Sequence, residues 1–371
     1  MRLTAKVKLL TTPSQNAALL ETIERVNQAC NWVSERAWKV QEFRQYSIHA
    51  LSYLTLRGKF GLPSQIAVRC IAKVADSYKL DKKSKRTFRA HGSIGYDSRI
   101  LGWKTTEQTV SIRALDKRLK VGFAAGAPQL TLLAGQHGES DLIYCGGRFY
   151  LGATCEVSES AQTEPSALLG VDLGIAEIAS TSDGLRYSGA TVRGVRFRHR
   201  HLRAKLQRKQ NRAAKRRLKK LSGRERRFAT HTNHVISKQI VETAKVTGRG
   251  IAVEELTGIR SRITVRKSQR AVLHSWAFAQ LRAFIAYKAI LAGVPVIAVD
   301  PRNTSRECSA CGYIDKRNRP NQSTFRCLAC GHAEHADINA SRVIAGRATS
   351  KLAEGDTARL SDLCCSSHCV S

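Results

Sequence analysis

Two pairs of cysteines, each pair separated by two residues, form the strongest chemical pattern in this sequence. Cys308 and Cys311 make the first pair and Cys327 and Cys330 the second, with fifteen residues between the pairs. This spacing is typical of tetrahedral zinc, because a two-residue spacer lets both thiolates of a pair turn toward one ion. Four thiolates complete the coordination shell. We therefore expect one structural Zn2+ that folds a small module and is closed to substrate.

Two histidines close to the second pair are rival ligands for the same ion. His332 and His335 follow Cys330 within five residues. Because four cysteines already complete a tetrahedral shell, zinc does not need either histidine.

Acidic residues at three places in the chain could carry a second kind of chemistry. Asp172 lies in one apolar run, Glu254 and Glu255 end another, and Asp337 follows the cysteine module. Taken singly, they could be a strand-end aspartate, solvated acids and a helix N-cap. Together they could hold two Mg2+ ions about 3.5–4 Å apart, one activating water and the other stabilising the leaving oxygen of a phosphodiester. The pattern predicts hydrolysis of a nucleic-acid backbone.

Short apolar runs would position these acids on one sheet. The predicted strands cover residues 168–174, 178–181, 185–187, 250–256 and 294–299. The first three are expected to be consecutive and antiparallel. A helix over 268–291 leads into the fifth strand, and Asp337 opens a final helix. An acid in the first strand, another ending the fourth and a third opening the helix after the fifth is the layout of an RNase H-like fold.

The two neighbouring glutamates cannot both point into the same site. Along a strand Ala252 and Glu254 share one face, whereas Ile251, Val253 and Glu255 share the other. Spacing alone does not choose between the two acids.

The segment from Arg193 to Arg227 is the most basic part of the chain. Glu225 is its only acid and it contains no proline, so we expect one long helix. A solvated basic face is the alternative, but like charges at i and i+4 destabilise an isolated helix, and a polyanionic partner would remove that cost. The 371 residues carry a net charge of +33. Nucleic acid is favoured over a membrane surface or an acidic protein, because each neutralised phosphate releases a counterion.

The N-terminal half has a different pattern of apolar residues. Apolar residues recur at helical spacing over Ser14–Val40 and Ser64–Lys79, which predicts two packing helices. Short alternating runs fill residues 87–157, and the clearest hairpin turns at Gly146 and Gly147. Its two strands are residues 141–145 and 148–151. A linker is expected over residues 158–166.

Several function classes are excluded. No run reaches the about 18 apolar residues that a membrane helix needs, and the first residues lack the apolar core of a secretory signal. We therefore expect an intracellular protein whose eleven cysteines bind metal or remain thiols. Residues 349–371 are expected to form a flexible tail. The tail contains Cys364, Cys365, His368 and Cys369, and the spacing of these residues matches no known type of metal site.

With these residues in view, the chain resembles the TnpB family of transposon-encoded, RNA-guided DNA endonucleases, relatives of the compact type V CRISPR effectors. The resemblance is most specific from about Ser166 to Arg347, while the N-terminal half fits in length and texture. It is carried by GVDLGI at 170–175, VEEL at 253–256, NTSRECSACG at 303–312 and DINA at 337–340.

The resemblance implies a multidomain α+β and α/β fold. An N-terminal wedge β-barrel carries a helical recognition insertion, and a C-terminal RNase H-like (RuvC) domain is interrupted by a zinc ribbon. The implied bounds are 1–12 and 88–160 for the wedge, 13–87 for the insertion, 161–303 and 336–348 for the nuclease domain, 304–335 for the ribbon and 349–371 for the tail.

The resemblance also implies roles for residues and partners. Asp172, Glu254 and Asp337 match the catalytic acids that hold two Mg2+, which places Glu254 rather than Glu255 in the site. A monomer would bind a guide RNA from the transposon end and cut double-stranded DNA beside a short flanking motif. The resemblance also implies a cytoplasmic protein of a prokaryote, associated with the nucleoid. Residues 193–227 would line the guide RNA–DNA channel. The contacts expected there are Arg196, Arg200, Arg203, Arg208, Arg212, Lys215, Arg216 and Lys219.

Three residues depart from the family pattern. Glu255 stands where many relatives carry Asp, Ala336 where many carry Arg, and Ser341 where many carry Ala. None removes a carboxylate. Two other functions stay open: an RNA-guided DNA-binding repressor that no longer cuts, and a transposase acting directly on transposon ends. Intact acids favour cutting, since a binding-only protein has no need of acids that repel phosphate.

Overall fold

A computed structural model of the chain describes residues 1–162, 164–209, 211–255 and 278–354. The chain divides into two compact units, one ending at Ser158 and the other beginning at Glu159. No helix among the described residues is long and apolar enough to cross a membrane.

The N-terminal unit begins with a strand and then a set of helices. Helix α1 spans Pro13–Val40, α2 spans Gln45–Gly58 and α3 spans Ser64–Leu80. The helices predicted over Ser14–Val40 and Ser64–Lys79 are thus confirmed, and α2 was not predicted. Helix α1 starts sharply because Thr12 and Gln15 form a capping box.

A seven-stranded antiparallel half-barrel sheet completes this unit. Its strands, in chain order, are β1 Arg2–Leu10, β2 Ile94–Tyr96, β3 Leu101–Lys104, β4 Thr109–Arg113, β5 Arg118–Ala124, β6 Gln136–Cys145 and β7 Arg148–Glu156. The spatial order is β2-β6-β7-β1-β5-β4-β3. A short helix, α4, spans Ala127–Ala134. The predicted hairpin is confirmed as β6 and β7, and φ is +60° at Gly146 and +79° at Gly147.

The C-terminal unit is built on a five-stranded mixed sheet. Its strands are β8 Leu168–Asp172, β9 Glu177–Thr181, β10 Arg186–Ser188, β11 Gly250–Glu254 and β12 Val296–Val299. The spatial order is β10-β9-β8-β11-β12. Strands β8, β9 and β10 are antiparallel neighbours, as predicted, whereas β11 lies parallel to both β8 and β12.

The basic segment forms two helices rather than the single long helix predicted. Helix α5 spans Ala190–Lys209 and α6 spans Arg212–Val246. The side chain of Asn211 accepts a hydrogen bond of 2.8 Å from the backbone N–H of Ala214, so it caps a new helix. Helix α7 spans Phe278–Ala292. The earlier residues of the helix predicted over 268–291 lie outside the described part.

The last helix follows the cysteine module directly. Strands β13, Thr324–Arg326, and β14, Ala333–His335, form a small antiparallel pair, and helix α8 spans Ala336–Ala353. Because α8 continues to Ala353, the tail predicted from residue 349 begins with helix instead. The predicted cysteines of the tail lie outside the described residues.

Candidate active site and metal centre

The first two acids lie at one edge of the five-stranded sheet. Asp172 is the last residue of β8 and Glu254 the last residue of β11. The strands are parallel neighbours in which Val171 pairs with Val253, so the two acids come next in the same register. The carboxyl ends of parallel strands meet at one edge, where α/β sheets gather their ligands.

Close packing of α8 across β8 brings the third acid to the same region. A Cβ atom on Gly170 would lie 1.8 Å from the carbonyl oxygen of Ser341 and 2.9 Å from the backbone nitrogen of Ala345. Only glycine therefore permits this crossing. Asp337, in the first turn of α8, is 9% exposed.

The acids influence one another electrostatically. Burial first, and then the carboxylates of Glu254 and Asp337, raise the pKa of Asp172 to about 8, against a smaller opposing effect of Arg319. Burial also raises the pKa of Glu254, although a hydrogen bond from Thr304 and the charge of Arg347 oppose the shift. Like charges this close disfavour joint ionisation, and a bound cation would relieve the cost.

The structure separates the two glutamates that strand alternation left open. Glu254 is 7% exposed and accepts a hydrogen bond from the hydroxyl of Thr304. Glu255 instead pairs with Arg282 of α7 through both carboxylate oxygens. Glu254 is thus the acid that faces Asp172.

Arg319 is a member of this site that the sequence did not reveal. One of its guanidinium nitrogens donates to a carboxylate oxygen of Asp337 at 2.9 Å and to the carbonyl oxygen of Gln322 at 2.7 Å. Arg319 belongs to the cysteine module, so the module reaches the carboxylates directly. Nothing in the spacing of this arginine distinguishes it from its basic neighbours.

The four predicted cysteines come together. Their sulfur atoms all lie within 4.8 Å of one another, with Cys308 and Cys327 buried and Cys311 and Cys330 exposed. Two similar turns, which we call knuckles, form the centre: residues 308–311 are the first knuckle and residues 327–330 the second. Each knuckle is followed by a glycine with positive φ, +75° at Gly312 and +76° at Gly331. Four convergent thiols fit Zn2+ in donor chemistry and number.

The two histidines near this centre lie beside polar groups other than the four thiols. The ring nitrogen Nδ1 of His335 accepts from the backbone N–H of Asp337 at 3.3 Å and caps α8. His332 lies 3.7 Å from a carboxylate oxygen of Glu334. Within the described part of the chain no second cluster of this closeness is found, so Asp172, Glu254 and Asp337 do not converge as tightly as the thiols.

Two fully buried asparagines connect the module internally and to α8. Asn318 donates to the carbonyl oxygens of Arg306 and Tyr313 and accepts from the backbone N–H of Leu328, so it joins the two knuckles. Asn339 accepts from the N–H of Ser309 at 3.0 Å and donates to the carbonyl oxygen of Glu307 at 2.7 Å. Through Asn339 the first knuckle is fixed to the helix that carries Asp337.

The basic helices pair through one acid. Glu225 of α6 forms ion pairs with Arg196 and Arg203 of α5 and lies 3.4 Å from His199. Of the eight basic residues predicted to contact nucleic acid, Arg196 and Arg203 therefore turn toward α6. The remaining six are exposed: Arg200, Arg208, Arg212, Lys215, Arg216 and Lys219.

Two parts of the chain match family models. Residues 153–258 match the OrfB_IS605 family, described as a probable transposase. Residues 278–344 match the TNB domain of Cas12f1-like proteins. The second match contains the four cysteines, Arg319 and Asp337.

Curated relatives share stretches of this sequence. The chain is 45% identical over 119 residues to the CRISPR-associated endodeoxyribonuclease Cas12f1 of Sulfoacidibacillus thermotolerans, covering 32% of this chain and 27% of that protein. It is 34% identical over 122 residues to the TnpB-like protein MJ0751 of Methanocaldococcus jannaschii, covering 33% of this chain and 43% of that protein. The chain thus spans about a quarter to less than half of the length of these relatives.

The fold is shared with a solved structure. It is similar to Cas12f1 in a cryo-EM structure of a Cas12f1–sgRNA–target DNA complex, with a TM-score of 0.58, 14% identity, and 88% of this chain and 82% of that chain covered. Together, the two family matches and the TnpB-like relative show that this chain is similar to TnpB-like proteins and to Cas12f1 over the residues that carry Asp172, Glu254 and Asp337.

Proposed function

We propose that this chain is an RNA-guided DNA endonuclease that hydrolyses a phosphodiester bond at Asp172, Glu254 and Asp337. The observation that carries the proposal is the sheet order β10-β9-β8-β11-β12, with acids ending β8 and β11 and opening α8. That arrangement supports an RNase H-like (RuvC) domain. The names of the relatives, an endodeoxyribonuclease and a complex with guide RNA and target DNA, support the reaction class and the partners.

The three acids suit two Mg2+ ions in donor chemistry, since carboxylate oxygens are the ligands that Mg2+ prefers. Such ions supply a Lewis acid for phosphodiester oxygens and stabilise the charge that develops on them. Two of the carboxylates are already oriented by hydrogen bonds, Glu254 by Thr304 and Asp337 by Arg319. Arg319 also opposes the rise in the pKa of Asp172, which favours the ionised form.

The rest of the chain would hold the nucleic acid. We assign the wedge to residues 1–12 and 88–160, the recognition insertion to 13–87 and the zinc ribbon to 304–335. The antiparallel half-barrel and the helices of the N-terminal unit support the first two assignments. In this proposal a monomer binds its guide RNA and reads a short motif beside the double-stranded target. The exposed basic residues of α5 and α6 contact the guide RNA–DNA duplex.

A cleavage assay tests the proposal. The chain is purified with RNA co-expressed from its transposon end and incubated with matched and mismatched DNA in Mg2+. We expect Glu254→Gln to lower cleavage by at least about 100-fold, because losing even an outer-shell partner at a metal site costs up to about that factor and Glu254 would bind metal directly. Glu242→Gln, at an exposed position of α6, is the matched control and is expected to cut normally.

The outcomes separate the competing functions. Guide-dependent binding without cutting by the unmodified chain would support the repressor. Cutting of transposon ends without RNA would support the transposase. Normal DNA cleavage by Glu254→Gln would show that the proposed active site is wrong.

A further inference from the structure

We propose that Phe197 and His201 of α5 form a platform on which an unpaired base of the bound RNA stacks. This inference rests on the proposed function only in that the chain binds RNA. It adds an aromatic contact to a surface whose predicted contacts were all cationic.

Phe197 is unusually exposed for its residue type. Its side chain is 64% exposed, and its ring lies edge-on to the ring of His201, one helical turn later, with 4.7 Å between centroids. Helix α5 has a packed side as well, where Val192 and Leu206 are buried. The two aromatic rings are therefore on the open side of the helix.

Cations surround the two rings on the same side. Arg193, Arg200, Ala204 and Arg208 lie four residues before Phe197 and three, seven and eleven residues after it, which places them on one helical face. All four residues are exposed. In the described part of the chain, none of the three arginines has a carboxylate within ion-pair distance, in contrast to Arg196 and Arg203 beside Glu225.

This combination fits a nucleic acid better than other partners. Helix α5 has eight Lys and Arg residues and no acid, so its open face needs anionic partners along its length. Single-stranded nucleic acids provide phosphates for the arginines and a flat base for the aromatic rings. A small residue, Ala204, leaves room beside the rings.

The surface is assigned to RNA because stacking requires a base that is free. Bases of double-stranded DNA are stacked inside the duplex, whereas RNA is recognised at loops and ends whose unstacked bases meet aromatic side chains. Phosphate contacts alone would give the arginines a role but would leave Phe197 without one.

Binding to single-stranded RNA that carries 2-aminopurine tests the platform, because this base loses fluorescence when it stacks. Phe197→Leu keeps an apolar side chain but removes the π face, and we expect it to weaken binding about 5- to 100-fold. The salt dependence should stay unchanged, since no phosphate contact is lost. Phe197→Trp should keep both affinity and quenching.

Arg200→Gln provides the contrasting control. Loss of one phosphate contact should reduce the slope of log affinity against log salt by about one and leave the quenching intact. Thermal unfolding checks that the variants fold, and the exposed position of Phe197 predicts no change there.

Two results would overturn the inference. RNA binding and quenching by Phe197→Leu equal to the unmodified chain would do so, and so would a loss confined to single-stranded DNA. The proposed function can fail separately. An unmodified chain that binds RNA through Phe197 but does not cut DNA would keep the platform and remove the nuclease.

Discussion

At the scale of single residues, the three acids of the candidate site have three different surroundings. Thr304 donates to Glu254 and Arg319 donates to Asp337, while burial and then the carboxylates of Glu254 and Asp337 raise the pKa of Asp172. Glu255, the residue that follows β11, pairs instead with Arg282. Two chain neighbours with the same side chain thus make different contacts, because successive residues of an extended chain point to opposite faces.

The pKa of Asp172 makes a prediction about stability. In the folded chain this pKa is raised to about 8, whereas an unfolded aspartate has a pKa of about 3.9, so the folded state holds the proton more tightly. Stability from this group is therefore full below about pH 4 and falls as pH rises toward 8. Asp172→Asn removes this pH-dependent loss of stability, because asparagine does not ionise. The variant's melting temperature, measured without divalent metal, should gain on that of the unmodified chain as pH rises from 4 to 8.

If the melting temperatures of Asp172→Asn and of the unmodified chain changed in parallel with pH, this explanation would be wrong. Asp183→Asn is the control on an exposed turn. The bonds from Arg249 hold the pKa of Asp183 below its usual value, so this replacement should cost stability at neutral pH.

At the scale of elements, the position of Asp337 depends on contacts of α8 with two partners. On one side the helix crosses β8 at Gly170, and on the other it is bound to the first knuckle through Asn339. The departures from the family pattern fit these contacts. Ser341 is fully buried and donates to the carbonyl oxygen of Ile338, and Ala336 packs with Cys308, Phe325 and Cys327.

Gly170→Ala tests the crossing of α8 over β8. The added methyl group would overlap backbone atoms of Ser341, which cannot move aside as a side chain could. We expect a loss of about 1–3 kcal/mol in the free energy of unfolding, measured by chemical denaturation, and a loss of DNA cleavage. Gly346→Ala on the same helix meets open space and should be neutral or slightly stabilising. Equal stability of the two variants would show that α8 does not depend on Gly170.

Asn339→Ala tests the connection between the cysteine module and α8. Loss of the side chain leaves the buried N–H of Ser309 and carbonyl of Glu307 without this partner, at about 1–3 kcal/mol per group. Zinc content, measured by atomic absorption, should remain near one per chain because all four cysteines remain, while cleavage falls. Asn321→Ala, which removes only turn contacts within the module, is the control. Unchanged cleavage by Asn339→Ala would show that the connection does not position Asp337.

At the scale of the whole molecule, local patterns could be predicted from the sequence and long-range contacts could not. The cysteine spacing predicted a cluster that the structure brings together, and apolar runs predicted the strands of the second sheet, because both signals are local. The break between α5 and α6 was missed because a capping Asn211 is inconspicuous among so many charges. Arg319 was missed because its partner is set by folding of the cysteine module against α8.

The measurement that tests the central claim most directly is cleavage of guide-matched DNA by the chain with its RNA in Mg2+, comparing Asp172→Asn with Asp183→Asn. Both changes remove one carboxylate charge from the C-terminal unit, but only Asp172 lies beside Glu254 and Asp337. The account predicts normal RNA binding by both variants, loss of cleavage for Asp172→Asn and retained cleavage for Asp183→Asn. Cleavage by Asp172→Asn at the unmodified rate would contradict the account.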